Sequence, residues 1–310
     1  MAHPITSSSF PRLFDKRIRE IFENVWTDLT KSESMIEQVY NVMKSDSNVE
    51  EWAEVGAVPD IPEFTGVIQA LPVYPGFYNK IEPKEYAGKL VYERKFLDDK
   101  KFPVMMADSE GLFTSAHRVR EKHGARGFAY AFSSAYDFLT SEEGTSWCST
   151  AHLTKSGVPT ITGFSNAGTA ALSASALSAA WLLGRRFKND IGERISWNGD
   201  LLIVPDALGD KAEEIVGTPA GLYSAEGTLN PQKGRFKIIR WKLLDDYSTK
   251  MWFLADSRML KRMNLFINRI PPESHTYVDL HNTLMTEISI YFRIGAGPLS
   301  WRCIYGSNPS

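Results

Sequence analysis

Between Asp108 and Leu139 apolar residues recur every three or four positions, at Leu112, Ala116, Val119, Ala125, Phe128, Phe132, Ala135 and Leu139. That spacing puts the side chains on one face and predicts a single long amphipathic helix. Asp108 and Ser109 supply capping oxygens before the first apolar residue. Gly144, past Glu142 and Glu143, is the candidate left-handed stop. At about 1.5 Å per residue, Gly111 to Leu139 would span roughly 43 Å, long enough to act as a strut for the rest of the chain. Gly124 and Gly127 each weaken the middle by up to about 1 kcal/mol relative to alanine, which predicts a bend or a close backbone contact there.

The segments on either side need that strut. Residues 10 to 43 read as helix, with one stripe at Phe14, Ile18, Ile21, Val25 and Leu29 and a second at Ile36, Val39, Tyr40 and Met43; Ser32 and Ser34 mark a break between them. Residues 48 to 78 are broken by Pro59, Pro62, Pro72 and Pro75 yet carry Trp52, Phe64, Leu71, Tyr74, Phe77 and Tyr78. Such a segment cannot be a helix or a central strand, and its aromatic content suits an extended chain lying across another surface. Phe64 to Leu71 and Tyr86 to Leu97 read as the two arms of a long hairpin. A two-stranded hairpin is marginal alone in water, so it needs support from outside itself.

Beyond the long helix, residues 168 to 189 read as a second helix rich in Ala and Ser. Leu201 to Pro205 reads as a buried strand, 206 to 216 as a short helix, and Gly217 to Gly234 as a long loop. Strands follow at 236–241, 251–255, 265–270 and 288–294, and the terminus from Gly295 to Ser310 carries Trp301 and Tyr305. The fold class is α+β.

Composition removes several functions. Among the 310 residues the net charge is −2, so no global basic field recruits nucleic acid. Cys148 and Cys303 are the only cysteines, too few for a disulfide framework, and they point to a reducing compartment. No apolar run reaches the ~18–20 residues of a membrane span, and no apolar core follows Met1, so neither a membrane nor a signal peptide is expected. The protein is expected in the cytoplasm of the cell that makes it.

Each motif that could carry chemistry has a plainer reading. Gly163-Phe-Ser-Asn-Ala-Gly168 has the glycine spacing of a phosphate loop, but Thr169 stands where its lysine belongs, and it reads as a loop leading into a helix. Cys148 and His152 lack an orienting third group, and a partly buried cysteine beside Trp147 fits better. His275, Asp279, His281 and Glu287 match no zinc spacing and read as a solvated loop. Asp98 with Asp99, and Glu142 with Glu143, read as exposed charge beside turns. Lys100-Lys101 and Arg185-Arg186-Phe187-Lys188 are too short for a sequence reader but could touch phosphate. No catalytic, cofactor or metal residue is assigned, and no cofactor is expected.

The order of segments resembles the major capsid proteins of tailed phages with the Hong Kong 97 fold, most closely the Mu-like major head subunit family. Four stretches carry the resemblance: Glu51-Trp-Ala-Glu-Val-Gly56 through Pro62-Glu-Phe-Thr-Gly66; Lys95-Phe-Leu-Asp-Asp-Lys100 before the long helix; Phe138 to His152, with Glu143 where the family's usual aspartate precedes glycine; and Gly199-Asp-Leu-Leu-Ile-Val-Pro205 with Ala212-Glu-Glu-Ile215 and Asn230-Pro231. It implies an N-terminal arm at 1–63 and an extended loop hairpin (the E-loop) at 64–97. A peripheral domain with its spine helix takes 98–197 and 276–310, and an axial domain takes 198–275. It further implies hexamers and pentamers closing an icosahedral shell around double-stranded DNA in a virion assembled in the host bacterial cytoplasm.

As partners the resemblance implies a separate scaffold protein, since only about ten residues precede the first helix, together with a portal, a possible decoration protein and non-specific contact with DNA. Trp52, Phe64, Leu71, Val73, Tyr74, Phe77 and Tyr78 are the expected subunit interface. Lys80, Lys84 and Lys89 lie where some relatives crosslink, but no asparagine partner is evident. The rival readings are an encapsulin-like compartment shell and a soluble enzyme.

Overall fold

The computed structural model describes residues 10–66, 68–99, 101–135, 139–217, 230–279 and 284–309. Its elements run α1 (Phe10–Glu33), α2 (Ile36–Val39), β1 (Asn41–Lys44), β2 (Glu50–Val55), β3 (Pro75–Ile81), β4 (Lys84–Glu93), α3 (Arg94–Asp98) and α4 (Phe102–Ala129). They continue with β5 (Leu139–Ser141), β6 (Ala167–Gly168), α5 (Ala174–Gly184), β7 (Leu201–Val204), α6 (Gly209–Gly217), β8 (Lys237–Arg240) and β9 (Trp252–Ala255). The last are α7 (Ser257–Met263), β10 (Asn264–Asp279), β11 (Met285–Pro298) and β12 (Ile304–Ser307).

The strut is α4, and it is displaced from the sequence expectation: it starts six residues earlier and ends ten earlier. Pro103 sits in its first turn, where the missing N–H costs nothing. Asp108 and Ser109 are therefore interior. Asp108 accepts the Tyr92 hydroxyl at 3.1 Å, and Ser109 Oγ donates back to the Met105 carbonyl at 2.6 Å. Of the two outcomes expected at Gly124, the close contact is found. Tyr40 donates its hydroxyl to the Gly124 carbonyl at 2.7 Å, and a Cβ at Gly124 would fall 2.7 Å from Ile36 Cγ1. Phe132 lies past the helix end, stacked on Phe253.

The N-terminal helix α1 packs along α4, with Phe22 edge-on to Phe113 at 5.0 Å. The expected break falls at Ser34, which donates to Glu121 on α4 at 2.7 Å, while the Met35 N–H donates to the other carboxylate oxygen at 3.1 Å. The second helix is only α2, because Asn41–Lys44 instead pair in parallel with β10.

Among the described residues the strands form three sheets. The first has the order β1-β10-β11-β4. Ile288, Ile290, Phe292 and Ile294 alternate inward from β11, and Tyr86 of β4 lies between Phe292 and His123 of α4. The second has the order β6-β12-β9-β7-β8, and its strands β7 and β9 are buried at every position. Both of its faces are covered. Leu201, Ile203, Phe253 and Ala255 join the core built on α4, while Leu202, Val204, Trp252 and Leu254 join a second core with α5 and α6. The third sheet, β2-β3-β5, is small.

Several expectations are corrected. Phe64–Leu71 forms no strand among its described residues, and Tyr86–Leu97 is not a hairpin arm, because β4 pairs with β11 and buries its period-two side chains on α4. In this part of the chain the antiparallel pair is β2 with β3. His275, Asp279 and Glu287 lie in the long β10–β11 hairpin rather than a loop, and His281 falls outside the described residues. The helix expected over 168–189 begins at Ala174, where Ser173 Oγ accepts the Ala176 N–H. Gly144 has φ +70° but turns the chain after β5, not after a helix. Most of the expected 217–234 loop also lies outside the described residues.

The sheets cut across the expected segments: β10 pairs with β11 on the α4 side, and β12 with α5 joins the β7–β9 layer.

Candidate assembly surface

Residues 56–74 connect β2 to β3 without regular structure in their described part, and the four prolines around them explain why. Gly66 turns there with φ +104°. Apolar side chains at the end of β2 and on this connection face solvent: Val55 is 84% exposed, Ile61 87%, Phe64 70% and Ile68 89%. Isolated exposed apolar residues are ordinary, but so many along one projecting segment mark a contact surface.

Of the expected interface residues, Phe64, Val73, Tyr74 and Tyr78 are exposed, and Leu71 and Phe77 are half-buried. Trp52 packs partly on its own chain, against Ile81, Leu265 and Ile267. Val55, Val58, Ile61 and Ile68 belong to the same surface and escaped the sequence reading. They are isolated aliphatics between prolines and acids, with no period to reveal them.

The base of the hairpin is held by its own chain. Glu54 pairs with Arg302, a nearly buried guanidinium whose Nε donates to the Lys188 carbonyl at 2.9 Å. Asn79 donates its amide to the Leu299 carbonyl at 2.6 Å. The Tyr78 N–H donates to Glu142 at 3.0 Å, and Lys155 pairs with Glu142 while lying 5.4 Å from the Phe77 ring centre. Glu142 is exposed as expected, though it ties Tyr78 to Lys155, whereas Glu143 is drawn into the fold rather than left as surface charge. Glu143 accepts from the buried His152, and Asn166 beyond it donates to the carbonyls of Trp147, Trp301 and Ile304.

Cys148 is fully buried rather than partly, and its thiol is pushed well above its ordinary range by burial and then by the neighbouring Cys303. Among the described residues no group of three or more His, Cys, Asp or Glu side chains converges to hold a metal, and no helix is long and apolar enough to cross a membrane.

Residues 134–307 match the family of phage capsid proteins, more than half of the 310-residue chain. The chain belongs to the phage capsid protein family. The folds agree. The bacteriophage PhiM1 mature capsid superimposes with a TM-score of 0.56 at 12% identity, over 90% of this chain and 87% of that one. The native GTA particle capsid gives 0.53 at 10% identity over 89% of each chain, and the bacteriophage JBD30 capsid gives 0.52 at 15% identity over 68% of this chain and 91% of its own. No curated protein matches.

The expected Hong Kong 97-like α+β fold is the fold of this capsid protein. It is a major capsid protein with a structural role in the virion shell, not an enzyme.

Proposed function

We propose that this capsid protein forms hexamers and pentamers that close an icosahedral head of a tailed phage around double-stranded DNA. In this reading the β2–β3 hairpin with its 56–74 tip is the extended loop, laid over a neighbouring subunit. The single observation that carries it is the row of exposed apolar side chains on a tip whose base is anchored and whose end is not. Residues 10–49 then belong to the N-terminal arm, the layers on α4 to the peripheral domain, and β7–β9 with α5 and α6 to the axial domain. A separate scaffold, a portal and non-specific DNA contact complete the assembly, which takes place in the host cytoplasm. The segments quoted above support a place near the Mu-like head subunits.

Hydrogen exchange tests this. Backbone amides of the tip should exchange fast in the free subunit and slowly in the assembled particle, while β7 and β9 stay protected in both. Equal protection of the tip in the two states would show that it packs on its own chain. Electron microscopy of the same particles separates a DNA-filled head from a small empty compartment.

A further inference from the structure

Two arginines lie over one indole at the edge of the α5–α6 layer. The Arg235 guanidinium carbon is 3.7 Å from the Trp181 ring centre, and that of Arg185 is 5.4 Å away. Arg185 donates to the Trp197 carbonyl at 3.2 Å. Among the described residues neither arginine meets a carboxylate within ion-pair distance. Burial and then the charge of Arg185 push the Arg235 guanidinium below its ordinary value, as expected of two like charges held together. Arg186, Lys188, Lys233 and Lys237 flank them in the sequence. A planar guanidinium stacked on an aromatic face keeps its N–H edge free for a carboxylate or phosphate.

The same layer has an acidic end. Asp206 and Asp210 lie at the start of α6 and Glu213 and Glu214 in its middle, with Lys211 the one cation in that stretch, and all four carboxylates are exposed. Arg240 takes Asp210 at 2.9 Å and Glu213 at 2.8 Å, leaving Asp206 and Glu214 outside its reach. The far end of α6 meets the basic end, where the Gly234 N–H donates to the Val216 carbonyl. Arg240 ends β8, which begins two residues after Arg235, and Lys237 to Arg240 alone spans about 10 Å at about 3.3 Å per extended residue.

We propose that these two patches join successive copies of this chain, Arg185 and Arg235 of one subunit donating to the carboxylates of Asp206 and Glu214 of the next. The inference rests on the reading of the protein as a ring-forming shell subunit. A ring of identical copies needs head-to-tail contact between two different, complementary patches, and one layer here carries both. Charge pairing of this kind fixes register and suppresses wrong neighbours.

Charge reversal and charge exchange test it. Arg185→Glu with Arg235→Glu, and separately Asp206→Lys with Glu214→Lys, should each lower the yield of closed particles at least tenfold while the subunits keep their circular dichroism and melting temperature. All four changes in one chain should restore yield to within about twofold of the native chain. Should the charge-exchanged chain fail to fold, Arg185→Gln with Arg235→Gln replaces it, and assembly of that variant should lose the salt dependence shown by the native chain. Native yield from either reversed variant, no recovery in a folded exchanged chain, or unchanged salt dependence would overturn the inference. So would reversed particles of native yield that hold less DNA, which would assign the arginines to phosphate. Absence of any particle from the native chain would instead overturn the shell reading itself.

Discussion

His152 Nδ1 lies 2.8 Å from Glu143 Oε1, and its ring is flat on Trp301, with centres 4.3 Å apart and planes 4° apart. The other ring nitrogen faces Asn166 Oδ1 at 2.9 Å. Three distant pieces of chain are thereby locked beneath the hairpin base. Burial pushes the Glu143 carboxyl up, but the hydrogen bond and charge of His152, then the Leu153 N–H and the Thr145 hydroxyl, outweigh it and hold the carboxyl below its ordinary range. A depressed folded value means that Glu143 stabilises the fold fully above its ordinary value of about 4.3 and loses that contribution as pH falls through the depressed value. Subunit melting temperature, followed by near-ultraviolet circular dichroism, should be level from about pH 7 to 5 and fall below about pH 4. Glu143→Gln should melt lower at neutral pH and lose less on acidification.

That lock was not legible in the sequence, because Glu143, His152, Asn166 and Trp301 share no period and meet only through the fold. The continuous apolar runs of β7 and β9 were legible, since a strand covered on both faces shows its burial at every residue. The hairpin partner was missed because β2 reads Glu-Glu-Trp-Ala-Glu-Val, whose half-buried side holds Glu50, Trp52 and Glu54 and whose exposed side holds Ala53 and Val55, so no apolar-in, polar-out alternation marks it. The length of β10 was missed because Pro271 and Pro272 break the pattern; the sheet accommodates them with register shifts flanking Ile270. The spine helix was found but misplaced, because the turn beginning at Tyr130 continues the apolar spacing after the helix has ended.

Phe128 is fully buried and meets the rings of Trp147, Trp241 and Phe253 at 5.1, 5.3 and 5.5 Å. Phe128→Ala should cost about 3–5 kcal/mol, and the subunit should be recovered insoluble. Phe132, half-buried and past the helix end, should cost clearly less when changed to alanine. Urea unfolding of the two variants checks the order.

Burial drives both thiols up, Cys148 well above its ordinary range and Cys303 to about 12, so neither forms thiolate near neutrality. At pH 8 a disulfide reagent should label neither cysteine in the folded subunit and both in guanidinium. Rapid labelling of the native protein would show that the core around the two thiols opens.

Ile61, Phe64 and Ile68 make no core contact, so changing all three to serine should leave the subunit's melting temperature within about 1 °C, since exposed substitutions shift stability by under about 0.5 kcal/mol. Particle yield by sedimentation should fall at least tenfold. Phe77→Ser differs, because its half-buried ring lies beside Lys155, and it should lower the melting temperature as well.

Glu54 and Arg302 tie the hairpin base to the C-terminal segment. Arg302 is 5% exposed and also holds the Lys188 carbonyl, so it cannot follow a lost partner into solvent. Removing one member of a fully buried pair costs about 3–5 kcal/mol, because the other charge is left uncompensated. Glu54 is partly exposed, with 26% of its side chain accessible, so water can reach the gap and Glu54→Ala should cost less than that. The loss should also be local. Amides of Glu50–Val55 and of Pro75–Ile81 should exchange faster, while those of β7 and β9 stay as in the native chain. Glu54→Asp keeps the charge on a shorter stem and should recover part of the protection. If Glu54→Ala instead raises exchange across the whole chain, the pair supports the core rather than the hairpin, and the anchored-base, free-tip description of the assembly surface fails.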